Sequence, residues 1–319
     1  MHTFSAIAGF CACLCLWLLC HNITLPTTTN VKRDLAGSVK KCSKVGDFNK
    51  QSDPEDEDSC LLVTEPSPYI EVLVATLVGV PLGGSKNIMS EIPGPYDHSK
   101  RYYGNDWPYA GYTMIGYKRM ENFRSAIEEV NRNNILGAIV ELGVWRGGAM
   151  IMAAGILKEA QIRRPLYLFD AFGSLPAGSY GNASKFLAVP QDEVKKAFEF
   201  FHLYDPDIVH FVPGVFEKSL VPWEARSDLV AVLRIDANFY KSHQDAMYAF
   251  WDKVPVGGII IFDDVFGNKN VMRFWQDFKT DQNLIEEMVR IDHFSGWFRK
   301  KSAAKLDFKK KHLLKDLSR

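Results

Sequence analysis

The chain has 319 residues, of which 47% are apolar and 24% are charged, so it is long enough for one large folded domain with extensions. Lysine and arginine together number 38, as do aspartate and glutamate, and the formal net charge is zero. A chain with this balance has no overall field to attract nucleic acid. We therefore expect no nucleic-acid partner.

The first feature in chain order is an uncharged apolar segment at residues 4–20. It is slightly short for a membrane span of ~20 residues and slightly long for a signal-peptide core of ~7–15 residues. Residues 1–21 are therefore predicted to be either a signal peptide or a membrane anchor. Basic residues follow the segment but do not precede it, so an uncleaved anchor would leave the globular part in the cytosol.

A polar stretch at residues 22–68 follows and is predicted to form a flexible stem. It contains Cys42 and Cys60, the two cysteines outside the apolar segment, which could pair in an oxidising lumen. Glycosylation sequons begin at Asn22 and Asn182. These features favour the secretory pathway, with the protein lumenal, secreted or anchored, while the charge pattern leaves a cytosol-facing orientation open.

The next segment, at residues 102–112, is dense in aromatic side chains and is followed by a helical pattern at 113–130. Aromatic residues with glycine and proline in a loop can form a substrate lid, and buried packing over the sheet edge is the alternative. We predict that residues 100–130 form an N-terminal cap or lid on a folded domain at 69–300.

Strands and helices then alternate along the chain. Apolar runs predict strands at 138–141, 166–170, 209–212, 230–236 and 258–263, and helical patterns lie between them at 148–159, 194–201 and 242–251. A further helix at 268–277 precedes a closing hairpin at 288–292 and 296–299. Alternation of this kind, with uniformly apolar strands, indicates the α/β class with a mostly parallel sheet that is covered on both faces.

The chain ends in a basic segment. Residues 299–319 carry nine lysines and arginines against two aspartates, a net charge of about +7. We expect the tail at 301–319 to be a solvated helix, and contact with anionic lipid is the alternative.

Two of the predicted strands in the second half of the chain, at 230–236 and 258–263, end in aspartate. Asp236 follows the first run, and Asp263 and Asp264 follow the second. Ligands collect at the carboxyl ends of parallel strands, so these carboxylates are expected to face a site. A hard cation such as Mg²⁺ prefers carboxylate oxygens and could hold and acidify a substrate hydroxyl. The alternative is that Asp263 and Asp264 only cap the following helix.

A glycine-rich turn at residues 141–148 lies where the first strand meets the first helix. Glycines there let the backbone approach a ligand and leave helix N–H groups free. The spacing differs from the G-x-G-x-x-G of dinucleotide folds. A nicotinamide oxidoreductase is therefore the least favoured function for this chain. Asp170 ends the next strand and can accept both hydroxyls of a ribose, and Phe172 could cover an adenine face. With Gly214 and Phe216 at a third strand end, these residues describe an adenosine pocket.

Four ordered motifs resemble the macrocin O-methyltransferase family: Glu-x-Gly-Val-Trp-Arg-Gly-Gly at 141–148, Asp-x-Phe-x-x-Leu-Pro at 170–176, Leu-Arg-Ile-Asp-x-x-x-Tyr at 233–240 and Gly-Gly-x-x-x-x-Asp-Asp at 257–264. The similarity covers about residues 100–300. Members of this family are S-adenosylmethionine-dependent enzymes that methylate sugar hydroxyls on macrolides. The resemblance implies a class I methyltransferase fold, Rossmann-like, with a seven-stranded mostly parallel sheet, helices on both faces, and sites for S-adenosylmethionine and Mg²⁺.

Carried over by position, the resemblance assigns Mg²⁺ to Asp236, Asp263 and Asp264, an arrangement also similar to catechol O-methyltransferase. It assigns the cofactor to Thr113, Met114, Glu141, Gly143, Trp145, Asp170 and Ser174. The residues themselves add four more candidates to the cofactor pocket: Gly147, Phe172, Gly214 and Phe216.

The expected reaction is in-line transfer of a methyl group from a sulfonium to a hydroxyl oxygen of a sugar, polyol or phenol, aligned by the protein. Asp236 is assigned to the catalytic set as well as to the metal. His293 and His243 are candidate general bases. Family members commonly have Asp-Gly-Asp where this chain has Asp236-Ala237-Asn238. Asn238 is assigned to the catalytic set, although an amide cannot take a proton as a carboxylate does.

The alternative is a non-catalytic binding protein of the secretory pathway that keeps the methyltransferase fold. Asn238 and a lumenal location motivate it, because the methyl donor is made in the cytosol. The intact set of three aspartates argues against it. We expect a small-molecule hydroxyl acceptor as partner, with membrane anchorage through residues 4–20 and a homo-oligomer as further possibilities.

Overall fold

One seven-stranded sheet organises the computed structural model, which describes residues 61–82, 85–86, 93–94, 96–175 and 184–312. In chain order the strands are β1 Ala138–Leu142, β2 Leu166–Asp170, β3 Val209–Pro213, β4 Val230–Ile235, β5 Ile259–Phe262, β6 Val289–Arg290 and β7 Gly296–Arg299. Their spatial order is β3-β2-β1-β4-β5-β7-β6; β1 to β5 pair parallel, and β7 pairs antiparallel with both β5 and β6. The chain order reverses between β1 and β4, which creates a crevice at their carboxyl ends.

Helices cover both faces of this sheet. The α-helices of the described residues are α1 Pro68–Leu77, α2 His98–Tyr103, α3 Tyr117–Arg132, α4 Gly148–Glu159, α5 Ser184–Leu187, α6 Gln191–Phe200, α7 Phe216–Ser219, α8 Val221–Glu224, α9 Tyr240–Phe250 and α10 Lys269–Gln282. Short 3₁₀ helices lie at Val80–Leu82, Trp251–Lys253 and Phe308–His312, and Ser85–Lys86 pairs with Pro93–Gly94 in an antiparallel ribbon.

The apolar strand residues explain why both faces are covered. Neighbouring residues of β1, such as Ile139 and Val140, are fully buried and point into two different apolar cores. The core on one face receives α1, α3, α4 and α6, and the core on the other receives α9 and α10. The predicted α/β class with a mostly parallel sheet is confirmed.

The end of the predicted stem packs on the domain instead of remaining free. Leu61 is buried, and the Leu62 amide donates to Glu129 on α3 at 3.3 Å. Arg124 of the same helix donates to the Thr64 carbonyl at 2.8 Å. Leu62 and Thr64, which lie within the predicted stem at 22–68, therefore contact α3.

Residues 301–307 of the basic tail are not helical, and most of them are exposed, but hydrogen bonds fix their backbone to the domain. The indole of Trp251 donates to the Ala304 carbonyl at 3.1 Å, and Glu286 accepts the amides of Lys301 and Ser302 at 2.9 Å each. The Lys300 ammonium is buried and donates to two carbonyls. These bonds fix the backbone of residues 300–304 to the domain, ahead of the 3₁₀ turn at Phe308–His312.

Several sequence predictions concern residues outside the described part of the chain. These are the apolar segment at 4–20, most of the stem with Cys42 and Cys60, and both sequons at Asn22 and Asn182. Among the described helices, none combines the length and the hydropathy needed to cross a bilayer.

Candidate active site

A cleft opens at the carboxyl ends of β1, β2 and β4. This is the edge of an open α/β sheet at which ligands bind. The residues that line it are Thr113, Met114, Ile115, Glu141, Gly143, Val144, Trp145, Ala149, Asp170, Leu175, Leu187, Arg234, Asp236 and Asn238.

The turn after β1 forms one side of the cleft and depends on its glycines. Gly143 has φ +90, and a Cβ at this position would lie 2.0 Å from the Asp236 carbonyl oxygen. Only glycine fits there without moving the backbone that follows β4. Gly147, at φ +84, precedes the first residue of α4. The turn therefore brings the N-terminus of α4 to the cleft, where the positive end of the helix dipole favours polar or anionic ligand atoms.

Asp170 holds this turn in place from the end of β2. Its carboxylate accepts the amides of Val144 at 2.7 Å and Trp145 at 3.2 Å through one oxygen, and the amide of Phe172 at 2.9 Å through the other. Burial raises the pKa of Asp170, and these backbone N–H groups oppose that rise. The oxygen that accepts only the Phe172 amide has a second lone pair, so a cleft hydroxyl can still donate to Asp170. The predicted ribose contact stays a prediction.

Trp145 and Arg146 connect the turn to both neighbouring loops. The Trp145 indole N–H donates to the Phe186 carbonyl at 2.8 Å. The Arg146 guanidinium lies 4.4 Å from the Trp145 ring centroid and donates to the carbonyls of Tyr109 at 2.6 Å and Gly111 at 2.9 Å. Trp145 itself has φ +49, a conformation that is costly for a non-glycine residue. The surrounding contacts hold it there.

The other side of the cleft is acidic. Asp236 follows β4, Asp263 and Asp264 follow β5, and each offers a carboxylate oxygen within 4.8 Å of the others. The sequence placed these acids at neighbouring strand ends, and the sheet order brings them together. All the donor atoms are oxygens, which is the chemistry that Mg²⁺ prefers.

Arg234 lies beneath this cluster on β4 and was not predicted as a site residue. Its guanidinium pairs with Glu141, with Asp263 at 2.6 Å and with Asp236 at 3.0 Å, and its side chain is 3% exposed. The sequence carried a signal, since a charged residue inside a uniformly apolar strand must find partners when it is buried. Arg234 joins the acid that lines the cofactor side to two of the acids on the opposite side.

Arg119, on the first turn of α3, is a second buried cation that the sequence analysis missed. It donates to the other Asp263 oxygen at 2.7 Å, and its Nε lies 3.2 Å from Asp292. Arg119 and Asp263 are 144 positions apart in the chain, so no local pattern could connect them. Both oxygens of Asp263 are thus bonded to guanidinium groups.

Charge in the acidic half is not balanced by the protein alone. Its five acids, Glu141, Asp236, Asp263, Asp264 and Asp292, face two arginines. Burial and the neighbouring carboxylates raise the pKa of Asp264 to about 8 and of Asp236 to about 6, and burial raises the pKa of Glu141 to about 8. Burial would also raise the pKa of Asp263, but the two arginines lower it. A divalent cation therefore fits this donor set in both ligand type and charge.

The predicted cofactor residues fall into two groups. Six line the cleft: Thr113, Met114, Glu141, Gly143, Trp145 and Asp170. The other five lie outside the lining. The Phe172 ring packs on Phe211 with centroids 5.7 Å apart, the Gly214 amide donates to the Asp170 carbonyl at 2.9 Å, Ser174 is exposed, and Gly147 and Phe216 lie at helix starts.

The predicted catalytic residues lie in different environments. Asn238 is exposed at the cleft, and its backbone carbonyl accepts a hydrogen bond from the side-chain amide of Asn268 at 2.9 Å. His293 is exposed on the loop between β6 and β7, with its Nε2 3.1 Å from the Asn105 side-chain oxygen. His243 is fully buried against Phe262, and burial lowers its pKa to about 4. Its position excludes contact with an acceptor in the cleft.

Comparisons with known proteins agree with this geometry. The family model described as Macrocin-O-methyltransferase (TylF) matches residues 69–300. Demethyldecarbamoylnovobiocin O-methyltransferase of Streptomyces niveus is 33% identical over 243 residues, which cover 72% of this chain and 92% of that protein. Mycinamicin III 3''-O-methyltransferase of Micromonospora griseorubida is 30% identical over 214 residues, or 62% and 82% of the two chains.

A solved structure shows the same architecture. The O-methyltransferase NovP superposes with a TM-score of 0.67 at 31% identity, covering 73% of this chain and 98% of that one. The family match spans the sheet, the glycine turn and the acidic cluster. The chain therefore belongs to the macrocin O-methyltransferase family and is an S-adenosylmethionine-dependent O-methyltransferase of the Rossmann-like class I fold.

Proposed function

We propose that this enzyme methylates a hydroxyl group of a sugar, polyol or phenolic small molecule with the assistance of Mg²⁺. The observation that carries the proposal is the convergence of Asp236, Asp263 and Asp264 within 4.8 Å, beside a cleft whose other side is a glycine turn. The names of the relatives, which act on demethyldecarbamoylnovobiocin and on the 3'' position of mycinamicin III, support a small-molecule acceptor.

The two sides of the cleft have separate tasks in this proposal. S-adenosylmethionine supplies an electrophilic methyl group, and Mg²⁺ on the three aspartates would lower the pKa of an acceptor hydroxyl. The turn at Gly143–Gly148 and the Asp170 carboxylate would bind and orient the cofactor. Arg234 pairs with Glu141 on the cofactor side and with Asp263 on the acidic side. It would fix the position of one side of the cleft relative to the other, and in-line transfer requires such alignment.

The acceptor proton needs a destination. Asn238 can hydrogen-bond to an acceptor hydroxyl at the cleft, but its amide cannot take the proton. His293 is the candidate base among the residues proposed from the sequence, because histidine is the side chain that most often acts as a general base. It is exposed on the loop that also carries Asp292, which Arg119 links to Asp263.

Calorimetric titration of the full chain with S-adenosylmethionine, and separately with MgCl₂, tests both halves. We expect wild-type protein and the Asp207→Asn control to bind both ligands, since the Asp207 side chain is 84% exposed. Asp264→Asn should retain cofactor binding and lose most of its Mg²⁺ affinity. Wild-type protein that binds no Mg²⁺ would remove the metal from the proposal, and equal Mg²⁺ affinity in Asp264→Asn would move the cation elsewhere.

A transfer assay tests the acceptor class. Radiolabelled S-adenosylmethionine would be incubated with the enzyme and a panel of sugars, polyols and phenols, with and without EDTA. We expect transfer to at least one panel class, reduced by EDTA and by Asp264→Asn. Cofactor binding without transfer to any acceptor would favour the alternative, a non-catalytic binding protein that retains the fold.

We infer the compartment from the sequence alone and place the protein in the secretory pathway. The support is the apolar segment at 4–20 and the sequon at Asn182. Glycosidase-sensitive mobility of the expressed chain, lost in Asn182→Gln, would place the domain in the lumen. Insensitivity together with protease access from the cytosol would place it on the other side.

A further inference from the structure

Arg119 lies where three separate parts of the molecule meet, and nothing in the reaction as described uses it. The residue is 8% exposed on the first turn of α3. Its guanidinium contacts Asp263 at 2.7 Å, the Tyr103 carbonyl at 3.1 Å and Asp292 at 3.2 Å. One side chain thus connects a cation-cluster aspartate, the segment before α3 and the loop between β6 and β7.

The segment before α3 fits closely around this guanidinium. We call residues 98–116 the cap segment; they comprise α2 and the loop up to α3, and they overlap the first part of the cap predicted at 100–130. A Cβ at Gly104 would lie 2.7 Å from the Arg119 Nη2 atom, and a Cβ at Gly116 would lie 2.3 Å from the Tyr102 carbonyl oxygen. The start of α3 therefore packs closely against the backbone of residues 102–104.

A second buried arginine extends the connection to the cleft. Arg101, in the cap segment, donates to the Met114 carbonyl at 2.6 Å and pairs with Asp106 at 3.2 Å. Met114 lines the cleft next to Thr113. The cap segment is therefore fixed at one end to the acidic cluster and at the other to the cofactor side.

The loop between β6 and β7 is fixed to the same point. Asp292 accepts the amides of Phe294 and Ser295 at 2.8 Å each, and the Phe294 ring lies 5.5 Å from the Arg119 guanidinium. The Ser295 hydroxyl donates to the Asp263 carbonyl. His293, which lies between Asp292 and Phe294 in the chain, contacts the cap segment, with its ring centroid 5.4 Å from that of Tyr103.

We propose that Arg119 is a positioning residue that couples cation binding at Asp263 to the placement of the cap segment and of the 292–295 loop. The inference rests on the proposed Mg²⁺ site. A cation bound to Asp263 would interact with the same carboxylate charge that Arg119 contacts. Its binding would therefore change the strength of the Arg119 contacts with Asp263, the Tyr103 carbonyl and Asp292. Reciprocity then requires that an ordered cap segment strengthen cation binding by the same factor.

Amide hydrogen exchange of the full chain, followed by mass spectrometry with and without MgCl₂, tests the coupling. In wild-type protein we expect Mg²⁺ to slow exchange of residues 98–106 and 290–296 by about fivefold or more. Arg119→Met should lose this Mg²⁺-dependent slowing. Arg119→Lys should retain part of it, because an ammonium keeps the charge but cannot span three partners as a guanidinium does.

Arg124→Met is the matched control. Arg124 is on the same helix and equally buried, but it contacts Glu128 at 2.7 Å and the Thr64 carbonyl at 2.8 Å, on the side of α3 that holds residues 61–67. This variant loses a buried arginine and should still show slowing by Mg²⁺. A general loss of packing would affect both variants alike.

The outcomes separate this inference from the proposed function. If calorimetry detects no Mg²⁺ binding to wild-type protein, the proposed metal site fails and the coupling fails with it. If Mg²⁺ binds and exchange at 98–106 does not change, the coupling alone is overturned. Should Arg119→Met not fold, Arg119→Lys decides, since Mg²⁺-dependent slowing equal to that of wild type would overturn the role of Arg119.

Discussion

The two sides of the cleft are built in different ways. The side formed by the turn at 143–148 is organised by backbone geometry, with glycines at positive φ and amides that donate to Asp170. The side formed by Asp236, Asp263 and Asp264 is organised by side-chain charge, with both oxygens of Asp263 bonded to buried arginines.

This difference separates two kinds of sensitivity. A backbone-built site should tolerate changes in side-chain chemistry but not the addition of a Cβ. A charge-built site should tolerate changes in shape better than the removal of a single partner, because an unpaired buried charge is costly. The sides meet at two points, the Gly143 contact with the Asp236 carbonyl and the Arg234 contacts with Glu141 and Asp263.

Removing Arg234 should have the largest effect. Arg234→Met keeps most of the side-chain volume but leaves Glu141, Asp236 and Asp263 without their shared cation. We expect a loss of about 3–5 kcal/mol in the free energy of unfolding, measured by urea denaturation. Arg163→Met is the control, because Arg163 is 69% exposed and its pairing should contribute less than about 1 kcal/mol. Similar losses in both variants would contradict a charge-built side.

Adding one methyl group to the turn should have the next largest effect. Gly143→Ala introduces a Cβ 2.0 Å from the Asp236 carbonyl oxygen at φ +90. The left-handed backbone costs about 1–2 kcal/mol and the overlap about 1–3 kcal/mol more. Gly173→Ala is matched in backbone, at φ +91, but its Cβ would lie 3.9 Å from Pro190. Thermal unfolding should show the Gly143 variant destabilised more than the Gly173 variant, and equal shifts would refute the close approach.

The acidic side also has a pH-sensitive neighbour. His243 is buried with its ring 5.0 Å from Phe262 and 5.9 Å from Phe274, and its pKa is lowered from 6.5 to about 4, by burial above all and against the opposing field of Asp263. Between these pH values the unfolded chain binds the proton and the folded protein does not. Stability should therefore fall as the pH drops from about 6.5 to 4, by about 3 kcal/mol in total.

His243→Leu tests this dependence in denaturation experiments across that pH range. The Phe239 carbonyl keeps its bond to the backbone amide of residue 243, so the substitution orphans no acceptor there. The variant should lose less stability than wild type between pH 6.5 and 4. His202→Asn, at an exposed position, should follow the wild-type curve. Parallel curves for wild type and His243→Leu would assign the acid sensitivity to other groups.

Much of this architecture was predictable because it depends on short-range patterns. Uniformly apolar runs of five or six residues identified the buried strands, and each acid that ends one of them came directly after it in the chain. The order of the sheet then brought Asp236 to Asp263 without any further information. The turn was predictable for the same reason, since the positive φ at Gly143 and Gly147 favours glycine locally, whereas the close approach of Gly143 to the Asp236 carbonyl was not.

What the sequence did not indicate depends on contacts between distant segments. Arg119 belongs to an ordinary amphipathic helix, and its partners Asp263 and Asp292 come from the other end of the domain. Phe172 and Gly214 have the residue types of a nucleotide pocket, yet the structure uses them for packing and for a backbone bond that support Asp170. The tail at 301–307 carries the composition of a solvated segment, and its backbone is held by Trp251 and Glu286.

The smallest expected effect concerns a side chain on the backbone-built side. Trp145→Phe keeps an aromatic ring for Arg146 to stack on and keeps the amide that donates to Asp170, but it loses the indole bond to the Phe186 carbonyl at 2.8 Å. One such bond contributes about 1 kcal/mol, so affinity for S-adenosylmethionine should weaken about fivefold if the bond holds α5 against the cleft.

Trp223→Phe is the control for this prediction, because Trp223 is buried among Tyr167 and Phe169 on the other face of the sheet. It should lower thermal stability by creating a cavity and leave cofactor affinity unchanged. Calorimetry of both variants compares the two expectations. If Trp145→Phe binds the cofactor as wild type does, the backbone alone forms that side of the cleft, and the contrast with the charge-built side becomes sharper than the contacts of Trp145 suggest.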